Sequence, residues 1–142
     1  MKAMMTPYKA PQEKGKISWA QCKDAAGVWH FDTKASTYTP DPVKRKSTLK
    51  LHLVGSETHD LHVDHYEIDV ALNGKHLTTM TKPGGDYHNT WSYDMSQDIP
   101  FFAPPGTYAV SVKAMGNLKM PHGGWRFAAS EVVGCANAQL TL

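Results

Sequence analysis

The sequence predicts an all-β domain, a two-layer sandwich of antiparallel sheets, on three observations. Short segments that alternate apolar and polar residues recur along the chain, as strands with one buried face require. Gly, Pro, Asn and Asp separate them at short intervals, and no long stretch places apolar residues at helical spacing. About seven or eight such strands hide their apolar faces together when two sheets pack face to face. Periodicity leaves open whether a tight core or a cavity lies between the sheets.

The elements follow in order. Leu49, Leu51 and Leu53 alternate with Lys50, His52 and Val54. Tyr66, Ile68, Val70 and Leu72 alternate with Glu67, Asp69 and Ala71, and Asn73-Gly74 then supplies the residue pair that favours a two-residue hairpin turn. Leu77 to Thr81 reads as the return strand, closed by a flexible turn at Lys82-Pro83-Gly84-Gly85. Trp91, Tyr93 and Met95 face opposite to Ser92, Asp94 and Ser96. A loop over 100–106 leads into a strand from Thr107 to Ala114, and Trp125 to Val133 and Ala136 to Leu142 complete the series.

A chain of 142 residues has the size of one domain and buries roughly 68% of its unfolded surface. The expected division is a flexible N-terminal segment over 1–16 and a single sandwich domain over 17–142. Composition is that of a folded protein, with 41% hydrophobic and 20% charged residues. The net charge of +2 is spread among acids, so the footprint of a nucleic-acid binder is missing. The one basic cluster, Lys44-Arg45-Lys46, reads as a solvated turn, with a phosphate or anionic-headgroup contact as the alternative. No run of eighteen apolar residues exists to form a membrane-spanning helix. Met1 to Gly15 is polar and holds no apolar run of signal-peptide type, so the chain is expected to be cytosolic or a mature form with an added start.

Chemistry-bearing residues point away from catalysis. Cys22 and Cys135 stand near opposite ends of the chain and meet readily if the terminal strands adjoin; two buried free thiols are the alternative. A bond closing a loop on the order of 100 residues contributes about 4.7 kcal/mol in the chain-entropy picture and implies an oxidising compartment. His59, His62 and His65, at spacing three, would fall on alternating faces of a regular strand, so the segment reads as a polar connection and no metal or other cofactor is expected. No Gly-x-Ser-x-Gly elbow, Cys-His signature or phosphate-cradling glycine loop occurs, and the aspartates are scattered. Apolar loop residues are more telling. Phe101-Phe102 lies between prolines, and Met115 to Trp125 is a Gly-rich connection carrying Met120 and Trp125, the kind of exposed apolar loop that marks a binding edge or a membrane contact.

Four motifs, in order, resemble the ML lipid-recognition family. Ile17-Ser18-Trp19-Ala20-Gln21-Cys22 resembles its opening Ser-Trp-x-x-Cys, and Thr39-Pro40-Asp41-Pro42 before Ser47 to Leu51 resembles its Pro-Asp-Pro turn and following strand. Ile99 to Tyr108 resembles its Pro-x-x-x-Pro-x-Gly-x-Tyr entry into a late strand, and Val133-Gly134-Cys135 resembles its Leu-Gly-Cys. The resemblance spans residues 17–142. It implies an immunoglobulin-like sandwich that holds acyl chains or a sterol between its sheets, no catalysis, and pairing of Cys22 with Cys135. Two departures stand out: the relatives carry further disulfides, and this chain has no Asn-x-Ser/Thr acceptor for N-glycosylation.

The expected function is therefore non-enzymatic lipid binding or transfer, with a fatty acid, phospholipid, glycolipid or sterol as ligand and transient contact with a membrane surface. Trp91, Tyr93, Tyr108, Val110, Val112 and Phe127 are expected to line the pocket, and Phe101, Phe102, Met120 and Trp125 to form its mouth. The expected location is extracellular or the endosomal or lysosomal lumen. There, protonation of some of the eight histidines would strengthen attraction to anionic membranes. A protein- or carbohydrate-recognition sandwich with a filled core is the alternative. The number of subunits is left open.

Overall fold

The computed structural model of the protein describes residues 14–21, 29–57 and 59–142. Its strands are β1 (Ile17–Gln21), β2 (Trp29–Phe31), β3 (Thr37–Thr39), β4 (Ser47–Glu57), β5 (Leu61–Leu72), β6 (Lys75–Tyr87), β7 (Thr90–Ile99), β8 (Thr107–Leu118) and β9 (Glu131–Thr141). They form the antiparallel two-sheet sandwich that the alternation predicts. One sheet runs β1-β9-β8-β5-β6; in the other, β4 pairs with β2 and β3 along one edge and with β7 along the opposite edge.

Alternation places the core. Leu49, Leu51 and Leu53 of β4 face Ile68 of β5, Val112 and Ala114 of β8 and Ala136 and Leu140 of β9, and all are buried. The hairpin between β5 and β6 turns at Asn73-Gly74, with φ of 51° and 82°, the left-handed pair that a tight two-residue turn needs.

The two long edges of the sandwich differ. On the β1 side the sheets are closed: Trp19 meets Phe31 edge-on at 5.9 Å and Tyr38 at 6.2 Å, so the Trp of the Ser-Trp motif bridges the sheets. Gly15 extends this closure, donating its N–H to the Thr141 carbonyl and accepting from Val43 N–H, both at 2.7 Å. On the opposite side, among the described residues, β6 pairs only with β5 and β7 only with β4, so each has one edge without a ladder.

Two sequence expectations change. Lys82 to Gly85 is not a turn, since β6 continues through it to Tyr87. An edge strand tolerates the missing N–H of Pro83, and Gly84 faces an irregularity in β5 at Asp64, where a Cβ would collide with the Val63 carbonyl. The strand expected from Trp125 to Val133 begins only at Glu131, because residues 119–130 form a loop held by Asn117, whose side chain bonds both the N–H and the C=O of Phe127 at 2.9 Å. Cys22 and most of the expected flexible segment over 1–16 lie outside the described residues, whereas Lys14 bridges to Thr141.

Phe31 is fully buried at the closed edge. Phe31→Ala is expected to cost about 3–5 kcal/mol in urea unfolding, and a loss below about 1 kcal/mol would contradict its closing role.

Candidate functional site

The space between the sheets is closed by rings and hydroxyls at one end and bordered by half-buried apolar side chains along the free edges at the other. The filled end is where β7 begins and β6 and β8 finish. There Trp91 Nε1 donates to Tyr66 Oη at 2.7 Å, Tyr66 Oη donates to Tyr87 Oη at 2.8 Å, and Tyr93 stacks on Tyr66 with centroids 4.0 Å apart. This chain of hydroxyls and rings joins β5 and β6 of one sheet to β7 of the other. Burial, together with the Tyr87 hydroxyl, holds the Tyr66 phenol well above its usual range, so it stays protonated and bonded. A gap of about 140 Å³ beside Tyr66, Trp91, Val112 and Ala114 has no room for a water molecule.

Toward the other end, inward-facing apolar residues along the free edges are only half-buried: Val70 of β5, Met80 of β6, Met95 and Ile99 of β7, and Tyr108 and Val110 of β8. Their neighbours one strand further in, Leu49 and Leu51, are buried. These inward-facing residues that still meet solvent form a half-buried apolar row along the β6 and β7 edges, hereafter the cleft. Above it stands the loop over 100–106, fixed by Tyr108 Oη donating to the Pro104 carbonyl at 2.6 Å and by reciprocal bonds between Gly106 and Leu142.

The ten expected site residues thus separate. Trp91 and Val112 are buried core, Tyr93 belongs to the aromatic brace, and Tyr108 and Val110 line the cleft. Phe101 and Phe102 sit at the cleft end, 68% and 70% exposed. Met120, Trp125 and Phe127 follow the far end of β8, a 12-residue strand, and so lie roughly 35–40 Å away. No single mouth contains both groups. Trp125 instead packs against the His62 ring at 5.7 Å, and Phe127 lies under Arg126. Sequence reasoning missed Tyr66, Tyr87, Met80, Met95 and Ile99 as neighbours of the site; the last two were legible in the alternation of 91–99.

A hollow of about 440 Å³ lies on the outer face of the β1-β9-β8-β5 sheet, lined by Ser18, Ala20, Asp69, Ser111, Asn137 and Gln139 and reaching Val110 and Ala138. Ser18, Ala20 and Ser111 alternate with the inward row, and their small side chains leave the depression.

The filled end gathers ionisable groups. His62 Nδ1 pairs with Asp86 at 2.6 Å and its Nε2 with Asp64 at 2.9 Å; His88 pairs with Asp60 at 2.9 Å. The hydrogen bond to Asp86 raises the His62 pKa. Asp64 also accepts from Ser130. His65 pairs with Glu67 rather than with His62, so these two members of the histidine triplet are held by separate carboxylates. Glu57, at the end of β4, is 6% exposed, and neither carboxylate oxygen has a hydrogen-bond partner among the described residues. Burial, reinforced by Asp60 and opposed by His88, pushes its pKa up to about 7.

No protein-family profile matches the chain, and no curated protein matches it. Among solved structures it is similar to chicken MD-1 complexed with lipid IVa, at 14% identity over 93% of each chain and a TM-score of 0.47.

Because the folded state holds the Glu57 proton more tightly than the unfolded chain, its contribution to stability is complete below about pH 4.5 and is lost as pH rises through about 7. His62, also raised, acts in the same direction, from below its unfolded value upward. Unfolding free energy is therefore expected to fall by on the order of 2–3 kcal/mol between pH 5 and pH 8. Glu57→Gln is expected to flatten most of that slope and to be the more stable protein at pH 8. An equal slope in both proteins would contradict the assignment.

Proposed function

We propose that this protein binds a lipid tail, an acyl chain or sterol, in the cleft between β6 and β7 and performs no chemical step. The observation that carries the reading is the half-buried inward row Val70, Met80, Met95, Ile99, Tyr108 and Val110, an apolar surface left without a full partner in the fold. A tail laid along it gains roughly 25 cal/mol per Å² of apolar area removed from water. The four ML-like motifs support the reading: Trp19 closes the far edge, and the Pro-Gly-Tyr entry builds the loop at the cleft end. The reading includes a Cys22–Cys135 bond and residence in an oxidising lumen outside the cytosol, where the acid-side stability given by Glu57 suits an endosomal or lysosomal compartment.

A recognition sandwich that binds on its outer face is the second reading, favoured by the hollow over Ser111 and Asn137. Variants separate the two. Met95→Trp fills the cleft at a residue that does not line the outer hollow and leaves that hollow in place. Blocking even two methylenes of a tail removes about 1.6 kcal/mol, so binding of a fluorescent fatty acid by the delipidated protein is expected to weaken at least about tenfold. If wild-type protein takes up no fatty acid, phospholipid or sterol, or if Met95→Trp binds as well as wild type, the lipid reading fails.

A further inference from the structure

The sequence separates its one basic cluster from its one Phe-Phe pair by more than fifty positions, and the fold joins them. The turn carrying Lys44, Arg45 and Lys46 is anchored by Val43, buried at 3% exposure, and by Ser47 Oγ donating to the Lys44 carbonyl. From that turn Lys46 N–H donates to the Ile99 carbonyl at 2.7 Å, and Arg45 Nε donates to the Ala103 carbonyl at 2.9 Å. Both acceptors flank Phe101-Phe102. The two loops therefore form one supported body.

That body presents two faces of one chemistry. Phe101 and Phe102 pack edge-to-face on each other at 5.4 Å and leave most of their surface in water. Scattered exposed apolar residues are ordinary, but two adjacent exposed aromatic rings on a pinned loop form a patch. All three basic residues beside it are exposed, and neither 43–47 nor 100–106 contains an acid. Lys14 and Lys75 lie at the same end of the sandwich. Of the carboxylates there, Asp41 is ion-paired with Lys16 at 2.8 Å, and Asp98 keeps its charge while accepting from Thr48 at 2.8 Å. Asp60, Asp64, Asp86 and Glu131 lie at the opposite end with Lys119 and Arg126, so the basic excess belongs to the Phe101 end.

We propose that this end docks on an anionic phospholipid bilayer, with Phe101 and Phe102 entering the interface and Lys44, Arg45 and Lys46 over acidic headgroups. The inference rests on the lipid-binding reading only for its purpose, since docking would set the cleft of β6 and β7 against the membrane from which a tail is drawn. Charge complementarity selects the partner: a zwitterionic surface gives the cations nothing, and a protein groove would have to accept two protruding rings and a crowded set of positive charges together. Each cation near an anionic surface is worth about 1 kcal/mol, so removing two lowers binding about 30-fold.

Sedimentation with mixed phosphatidylcholine–phosphatidylserine vesicles, against pure phosphatidylcholine vesicles, tests this on the full chain. Wild type is expected to bind the mixed vesicles and not the neutral ones, and to release as salt screens the charges. Lys44→Ala with Lys46→Ala, which spares the Arg45 bond to Ala103, is expected to lose about 30-fold. Phe101→Ser with Phe102→Ser is expected to lose at least tenfold, and Trp125→Ser, at the other end, is expected to bind as wild type. Unchanged melting temperatures would show that the variants fold. Equal binding to both vesicle types, no binding to either, or sensitivity to Trp125 with indifference to the lysines and phenylalanines would each overturn the proposal. Fatty-acid uptake measured in solution without vesicles reports on the cleft separately, so failure to dock and failure to bind a tail are distinguishable.

Discussion

Everything at the open side of this sandwich depends on the bonded chain from Trp91 through Tyr66 to Tyr87. Sheets packed face to face stay together where apolar side chains interdigitate, and along the β1 edge Trp19, Phe31 and Tyr38 supply that contact. Along the β6 and β7 edges no ladder joins the sheets. The hydroxyl of Tyr66 takes the place of a ladder, accepting from one sheet's indole and donating to its own neighbour's phenol while its ring stacks on Tyr93. A buried polar group this fully satisfied fixes geometry as well as adding stability.

The consequence is a molecule with two unlike ends. The braced end is rich in histidine and carboxylate, with a buried Glu57, unpartnered among the described residues, that favours the folded state under acid conditions. The opposite end is apolar inside, aromatic at its tip and basic around it.

Much of the fold was legible because β4, β5, β7 and β8 each bury one face, and strict alternation is what one buried face writes into a sequence. Leu49 to Leu53 and Tyr66 to Leu72 appear where the alternation places them. The edge strand β6 was less legible. With one partner only, it tolerates Pro83 and Gly84, residues that read locally as a turn. Trp125 to Ser130 failed for a different reason: the side chain of Asn117 satisfies Phe127's backbone without any ladder, and nothing local announces such a bond. The candidate site was half legible. Tyr108 and Val110 carry the period of an inward face, whereas the separation of Phe101 from Trp125 is a matter of which end of β8 each adjoins, and the joining of Arg45 to Ala103 is a tertiary contact that spacing does not encode.

The central claim is that a tail lies between the sheets on the Phe101 side of the aromatic brace. A crystal structure of the protein soaked with a fatty acid brominated near its tail end tests it most directly, because the bromine scatters anomalously and its place can be read without interpretation of the chain. The account predicts bromine between Met80 and Met95, beside Val110 and short of Tyr66. Bromine over Ser111 and Asn137 on the outer face, or none between the sheets with the fatty acid bound elsewhere, would contradict it.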